Sequence, residues 1–90
     1  MYQAHLIISG NVQGVGFRQY VKWAARKIGV SGVVWNRKDL KVEAILQGKK
    51  GKVSTVIKLI KKGPPISKVQ AVDVAWEKAS EQFDGFNVVK

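Results

Sequence analysis

Residues 10–18, Gly10-Asn11-Val12-Gln13-Gly14-Val15-Gly16-Phe17-Arg18, join a segment typical of a β-strand to a segment typical of an amphipathic α-helix. Three glycines within seven positions allow a sharp turn, because glycine tolerates positive φ. A loop between a strand and a helix directs unpaired backbone N–H groups at one point, which favours an anion. Arg18 adds a planar cation that suits phosphate oxygens. The stretch therefore predicts a phosphate-binding loop.

The segments on either side of this loop predict a strand, a helix and a hairpin. Residues 2–9 are rich in strand formers and place Ala4, Leu6 and Ile8 on one face. Residues 17–28 carry apolar side chains at helical spacing, and Gly29 follows as a helix stop. Strands over residues 30–36 and 41–47 flank a short turn, which indicates an antiparallel hairpin.

The second half of the chain repeats the alternation of helix and strand. Residues 52–62 form a second amphipathic helix, which Gly63-Pro64-Pro65 ends. Residues 69–76 alternate as a fourth strand, and residues 86–89 form a short final strand. The order β-α-β-β-α-β plus a strand predicts an α+β, ferredoxin-like split βαβ sandwich. We expect an antiparallel sheet with both helices on one face.

Composition excludes several kinds of protein. Ninety residues make one domain, over residues 1–90. The chain has no cysteine and only one histidine, His5, so we expect no disulfide, no thiolate metal site and no histidine-based zinc site. No apolar run approaches the roughly 20 residues of a membrane span. We expect a cytoplasmic monomer in which His5 faces solvent on the first strand.

The charge of the chain is strongly positive. Sixteen lysines and arginines against six acidic residues give a formal net charge of +10. This balance favours anionic partners such as phosphates, nucleic acid or acidic membranes, and does not choose among them.

The glycine spacing does not match the common nucleotide-binding loops. A Walker loop needs a second glycine five positions after Gly10, but Val15 stands there. A Rossmann fingerprint that starts at Gly14 needs a small residue at Gln19. On glycine content alone, a tight turn that only joins strand to helix explains the stretch equally well.

Two motifs resemble the signatures of the acylphosphatase family. The first is the pattern Gly-x-Val-Gln-Gly-Val-x-Phe-Arg over residues 10–18, in which every motif position agrees. The second is Gly32-Val33-Val34-Trp35-Asn36, which is followed by a turn and then by Val42 and Gly48. Together with Gly63-Pro64-Pro65 and the order of elements, the resemblance covers nearly the whole chain.

The resemblance implies hydrolysis of acyl phosphates to a carboxylate and inorganic phosphate, without metal or cofactor. It implies that Arg18 and Asn36 are catalytic and that Asn36 orients the attacking water. It also implies that the phosphoryl group is held by the residues of the loop: Asn11, Val12, Gln13, Gly14, Val15, Gly16, Phe17 and Arg18. Without the resemblance, Asn36 is most simply a turn residue at the end of a strand.

Three residues depart from the family pattern. Val33 replaces an aromatic residue, Trp35 replaces a polar one, and Leu40 occupies a turn position that is usually glycine. A bulky side chain at positive φ costs energy, so we expect Leu40 to favour a different turn and to alter the hairpin next to Asn36. The level of activity depends on that hairpin.

Two other functions fit the same fold. An RNA-binding module of this topology needs stacking aromatics on its central strands, the first and third, and residues 41–47 have none. We therefore do not expect nucleic acid as the main partner, and interpret Trp23, Trp35 and Trp76 as core or half-buried packing residues. A regulatory domain that binds a small anion is the other alternative.

Overall fold

The computed structural model describes residues 1–79 and 81–90. Its elements are β1 (Tyr2–Asn11), α1 (Phe17–Ile28), β2 (Ser31–Asn36), β3 (Val42–Gly48), α2 (Lys50–Lys62), β4 (Lys68–Lys78) and β5 (Phe86–Val89). This order confirms the predicted split βαβ plan with its added C-terminal strand. Within the described ranges, no helix is long and apolar enough to cross a membrane.

The five strands form one sheet in the order β4-β1-β3-β2-β5. The first four strands pair antiparallel, as predicted. β5 pairs parallel with β2, so the complete sheet is mixed rather than antiparallel. The reason is topological: β4 ends at the same end of the sheet at which β2 begins. A strand that starts there and lies beside β2 must run in the same direction.

The core lies between the sheet and the two helices. Ala4, Leu6 and Ile8 of β1 are fully buried, which confirms the predicted inward face. The apolar stripes of both helices are also buried: Phe17, Val21, Ala24 and Ala25 in α1, and Val53, Val56, Ile57 and Ile60 in α2. Among the described residues, no helix lies on the opposite face of the sheet.

The helix ends follow the glycines, and one helix start differs from the prediction. Gly29 adopts a left-handed conformation and its N–H donates to Ala25 O at 2.9 Å, so α1 ends where predicted. α2 begins at Lys50 rather than at residue 52, because the N–H of Val53 already donates to Lys49 O at 3.0 Å. Gly51 therefore lies inside the first turn of the helix.

β1 is two residues longer than predicted and shortens the glycine loop. Gly10 and Asn11 pair with Val69 and Lys68 of β4, after a register shift at Ser9/Gly10. The φ of Gly10 is 127°, and a Cβ atom there would collide with Lys68 O. The loop proper therefore covers residues 12–16, between the end of β1 and the start of α1.

Two tryptophans are more exposed than predicted. Trp23 is 51% exposed and Trp76 is 43% exposed, whereas Trp35 is partly buried. Trp23 lies outside the buried stripe of α1. Trp76 lies on the edge strand β4, where its ring packs edge-on against Tyr2.

Candidate active site

The loop over residues 12–16 takes its shape from two left-handed glycines. Gly14 has a φ of 75° and Gly16 a φ of 73°. A Cβ atom at either position would meet no heavy atom within 4 Å, so the backbone conformation and not lack of space requires glycine. Gly16 is also the N-cap of α1 and supplies no side chain to cap it. The first turn of α1 is therefore open to an external acceptor.

Several backbone donors of this loop have no protein partner. Among the residues that the structure describes, no N–H of residues 13–16 donates to a backbone or side-chain acceptor. Phe17 and Arg18 follow as the first two residues of α1, whose N–H groups have no intrahelical acceptor. Successive free donors at a helix N-terminus favour an anion, because the helix dipole adds positive charge there.

A pocket of about 80 Å³ brings the loop and Asn36 together. Its lining residues are Val12, Gly14, Gly16, Phe17, Arg18, Gln19 and Asn36. The two signature motifs, 18 residues apart at Arg18 and Asn36, thus meet in space. Gln19 was not predicted, since a polar residue in the first turn of a helix carries no signal of its own.

Three residues of the predicted phosphate loop do not line this pocket. Asn11 is paired in β1 and exposed. Val15 packs against the hydrophobic core. The side chain of Gln13 points to the β2–β3 hairpin, so only its backbone is left to contact a ligand.

Asn36 presents an unsatisfied polar atom at the pocket. It ends β2, where it pairs with Val42 of β3, and the alternation along the strand turns its side chain to the helix side. Its Oδ1 is buried without a hydrogen-bond partner among the described residues. A buried acceptor without a donor costs about 1–3 kcal/mol. A bound donor, such as a water, would remove that cost.

Arg18 keeps most of its hydrogen-bonding capacity free. Its Nη1 donates to Val89 O of β5 at 3.4 Å, which is a long bond to a neutral acceptor. The described ion pairs involve Arg37 and His5 and leave Arg18 without a carboxylate. Because a guanidinium has five N–H donors, the remaining ones are available to phosphoryl oxygens.

Gln13 connects the loop to the hairpin that follows Asn36. Its Nε2 donates to Arg37 O at 2.8 Å and to Lys41 O at 2.9 Å. Lys41 O also accepts from the N–H of Arg37 at 2.8 Å, which closes the hairpin. One side chain therefore fixes the distance between the anion loop and the end of β2.

Leu40 does not avoid the left-handed region. Its φ is 70°, and it is the one residue other than glycine with positive φ in the described chain. The expectation that leucine would favour a different turn is therefore wrong at this position. Its side chain is 70% exposed, so it clashes with little and the backbone carries the strain.

Ion pairs brace the same hairpin. Arg37 Nε lies 3.0 Å from Asp39 Oδ1, and Arg37 Nη1 lies 3.1 Å from Glu43 Oε1. The hydrogen bond from Arg37 lowers the pKa of the Asp39 carboxyl and raises the pKa of the guanidinium. Glu43 also bonds to His5, which is partly buried on the helix-free face and away from the pocket. The sequence predicts that His5 faces solvent, whereas its side chain is 33% exposed and bonded to Glu43.

The described ranges hold no candidate metal site. Among those residues, no three histidines, cysteines or carboxylates lie close enough together to hold a metal ion. The polar groups at the pocket are backbone amides, the guanidinium of Arg18 and two carboxamide residues, Gln19 and Asn36. Such a set can bind a tetrahedral anion and one water.

Comparison with known proteins gives one family. A family model described as acylphosphatase matches residues 4–88. The acylphosphatase of Roseiflexus sp. (strain RS-1) is 43% identical over 89 residues, 99% of this chain and 96% of that protein. The acylphosphatase of Thermococcus kodakarensis is 46% identical over 87 residues, 97% of this chain and 94% of that protein. The crystal structure of acylphosphatase from Bacillus subtilis superimposes with a TM-score of 0.96 at 36% identity, over 100% of both chains. The chain belongs to the acylphosphatase family.

Proposed function

We propose that this acylphosphatase holds the phosphoryl group of its substrate with the loop N–H groups and Arg18, and that Asn36 holds the attacking water. The observation that carries the proposal is the buried, unpartnered Oδ1 of Asn36. It belongs to a residue that lines the same small pocket as the glycine loop and Arg18. An acceptor that lacks a donor, beside an anion site, suits a water poised for attack.

The loop and Arg18 stabilise the transition state by charge. In phosphoryl transfer, negative charge spreads over the equatorial oxygens while attacking and leaving oxygens lie in line. Fixed N–H dipoles and a guanidinium interact with those oxygens without having to reorganise. In mutational series, one such donor contributes about 100- to 1,000-fold in rate.

Asn36 acts by position and not by proton transfer. A carboxamide has no useful pKa, so it cannot be a general base. It accepts a hydrogen bond from the water and holds its oxygen in line with the phosphorus. The water oxygen then bonds to phosphorus while the bond from phosphorus to the acyl oxygen breaks, and the carboxylate leaves with that electron pair. A phosphoryl oxygen takes the proton of the water, which gives inorganic phosphate.

The proposed reaction needs no metal. The positive charge that a divalent cation often supplies in phosphoryl transfer is supplied here by amide dipoles and by Arg18. The leaving carboxylate is a weak base, so no protein acid has to protonate it. We expect full activity in the presence of a chelator.

Hydrolysis of benzoyl phosphate in chelator tests these roles. We expect turnover by the wild type and a fall of at least about 100-fold for Asn36→Ala and for Arg18→Ala. In ¹⁸O-labelled water the label should enter phosphate and not benzoate, because the water attacks phosphorus. Arg26→Ala is a matched control, since Arg26 also lies on α1 and its Nε donates to Phe86 O of β5 at 3.1 Å.

Four results would contradict the proposal. Label in benzoate would place the attack on carbon, and full activity of either site variant would remove that residue from the mechanism. Phosphate binding without turnover by the wild type would favour a regulatory domain that binds a small anion. An equal loss in Arg26→Ala would show that the contact to β5, and not the charge at the pocket, is what matters.

A further inference from the structure

Charge is divided unequally between the two layers of the fold. Nine of the sixteen lysines and arginines lie in the helices, four in α1 and five in α2. Neither helix contains an acidic residue. The rest of the chain holds seven basic residues against all six acidic ones, which nearly cancel. The formal net charge of +10 is thus a property of the helix layer.

Three of the six acidic residues lie on the helix-free side of the sheet. Glu43, Asp73 and Glu77 alternate with inward-facing residues of β3 and β4, so they lie on the outer face. The outer positions of the central strands β1 and β3 hold no phenylalanine, tyrosine or tryptophan. RNA recognition through the sheet face therefore lacks the positive charge, and the two central strands lack the large aromatic rings that stack bases.

An exposed aromatic ring lies within the positive helix layer. Trp23 of α1 is 51% exposed. Lys27 Nζ lies 5.0 Å from the centroid of its ring, and the ring of Tyr20 lies 5.9 Å away at a tilt of 32°. We call the exposed surface around Trp23, Lys27 and Lys62 the basic helix face.

Two surface depressions meet at Trp23. One, of about 480 Å³, is lined by Trp23 together with Lys22, Arg26 and Lys27. The other, of about 590 Å³, runs between the helices and is lined by Trp23, Tyr20 and Lys62 as well as by Pro64. Trp23 thus lines both depressions, one of which holds three cations and the other Lys62.

We propose that the basic helix face binds single-stranded nucleic acid, with a base stacked on Trp23 and phosphates on the flanking lysines and arginine. Proteins that bind single strands combine a positive groove that follows the backbone with aromatic rings that stack bases. Both parts are present here and lie on the side of the molecule that has no carboxylate in its helices. This interaction is separate from the hydrolysis of acyl phosphates.

The exposed residues of α2 argue against an acidic membrane as the partner. They are lysines, one glycine and one threonine, and none of them is apolar. A helix that lies in a membrane interface inserts aromatic or aliphatic side chains along its length. A helix that follows a phosphate backbone needs only cations there.

Fluorescence anisotropy with a labelled single-stranded oligonucleotide of about 10 residues tests the proposal. We expect binding whose log affinity falls linearly with log salt between about 50 and 200 mM. Trp23→Ala should weaken binding about tenfold or more, as removal of one stacked base does. The matched control is Trp76→Ala, which removes a similarly exposed tryptophan on the edge strand β4.

Charge variants locate the phosphates along the groove. Lys27→Gln combined with Lys62→Gln should reduce the salt slope by about 0.7 for each lysine that pairs with a phosphate in the wild type. Lys38→Gln combined with Lys78→Gln lowers the net charge equally but lies outside the helices, and should leave the slope nearly unchanged. Circular dichroism verifies that each variant is folded.

Each other outcome would overturn the assignment. If Trp76→Ala weakened binding as much as Trp23→Ala, the base would not be stacked on Trp23. If the Lys38 and Lys78 double variant reduced the salt slope as much as the Lys27 and Lys62 double variant, the binding would depend on net charge and not on a site. Inorganic polyphosphate that binds as tightly as the oligonucleotide would show that no base is stacked. Binding to phosphatidylserine vesicles without binding to the oligonucleotide would identify a membrane surface, and no binding at about 50 mM salt would remove the site altogether.

Discussion

At the scale of single residues, the side chain of Gln13 links the two halves of the pocket. Its two hydrogen bonds reach Arg37 O and Lys41 O, on either side of the turn that follows Asn36. Glutamate has the same shape but cannot donate, and it would face two carbonyl oxygens. Gln13→Glu should therefore displace the hairpin and lower the stability by about 1–3 kcal/mol.

Kinetics distinguish positioning by Gln13 from simple stabilisation. We expect Gln13→Glu to lower kcat by up to about 100-fold, because Asn36 is misplaced, while inhibition by inorganic phosphate stays nearly unchanged. Gln13→Lys restores a donor and should recover part of kcat. Gln70→Glu, an exposed glutamine on β4, is the control. A drop in stability of Gln13→Glu with kcat intact would mean that the contact only holds the fold together.

Leu40 stores strain next to the site. A left-handed backbone conformation costs a residue with a Cβ atom about 1–2 kcal/mol, and glycine does not have this cost. Glycine instead loses more conformational entropy on folding, which lowers the stability by about 0.5–1 kcal/mol. Leu40→Gly should therefore stabilise the protein by about 0.5–1 kcal/mol in urea denaturation. Leu40→Ala keeps the positive φ and should change stability little. Destabilisation by glycine would show that the exposed leucine makes a contact of its own.

The residues that carry charge or a family motif could be predicted from the sequence, whereas their contacts could not. Arg18 was predicted from its charge beside the glycine loop and from the motif, whereas Asn36 was predicted from the motif alone, and both residues line one pocket. The role of the Gln13 side chain depends on carbonyl groups 24 and 28 positions away, which no local pattern reports. The exposure of Trp23 was wrongly predicted, because an aromatic residue beside a buried stripe can turn to either side.

At the scale of elements, the β2–β3 hairpin positions Asn36 beside the glycine loop. Asp39 lies in its turn and accepts hydrogen bonds from Arg37 and from the N–H of Lys41. Because these bonds lower the folded-state pKa of Asp39, its contribution to stability is present above its unfolded pKa of about 4. That contribution is lost as pH falls through the folded-state value.

A pH series of thermal unfolding measures this contribution. Asp39→Asn should be less stable than the wild type near pH 7, and the difference should close below about pH 4. Asp73→Asn, which removes a carboxylate outside the described ion pairs, is the control. A difference that is independent of pH would assign the effect to the turn conformation and not to the charge.

The order of the elements and the helix ends followed from periodicity and glycines, but the end of β1 and the pairing of β5 did not. The stripes of α1 and α2 and the stops at Gly29 and Gly63 were predicted because each depends on local sequence. β1 runs on to Asn11 because β4 pairs with it, which is a tertiary effect. The parallel pairing of β5 likewise depends on the end of the sheet at which β4 finishes.

At the scale of the whole molecule, positive charge opposes self-association. A net charge of +10 on a 10.0 kDa chain gives strong repulsion between copies at low salt. We predict a monomer, which light scattering after size-exclusion chromatography will show as a mass near 10.0 kDa. A mass of twice that value at low salt would contradict the prediction. The cytoplasmic location expected from the sequence stays a prediction.

The central claim is that Arg18 and the loop hold the phosphoryl group while Asn36 holds the water. Calorimetric titration of inorganic phosphate into Asn36→Ala and Arg18→Ala tests this division most directly. We predict that Asn36→Ala binds phosphate about as tightly as the wild type although it hydrolyses almost no benzoyl phosphate. Arg18→Ala should lose phosphate binding together with activity. An equal fall in phosphate affinity in both variants would contradict the account, because both side chains would then act on the phosphoryl group.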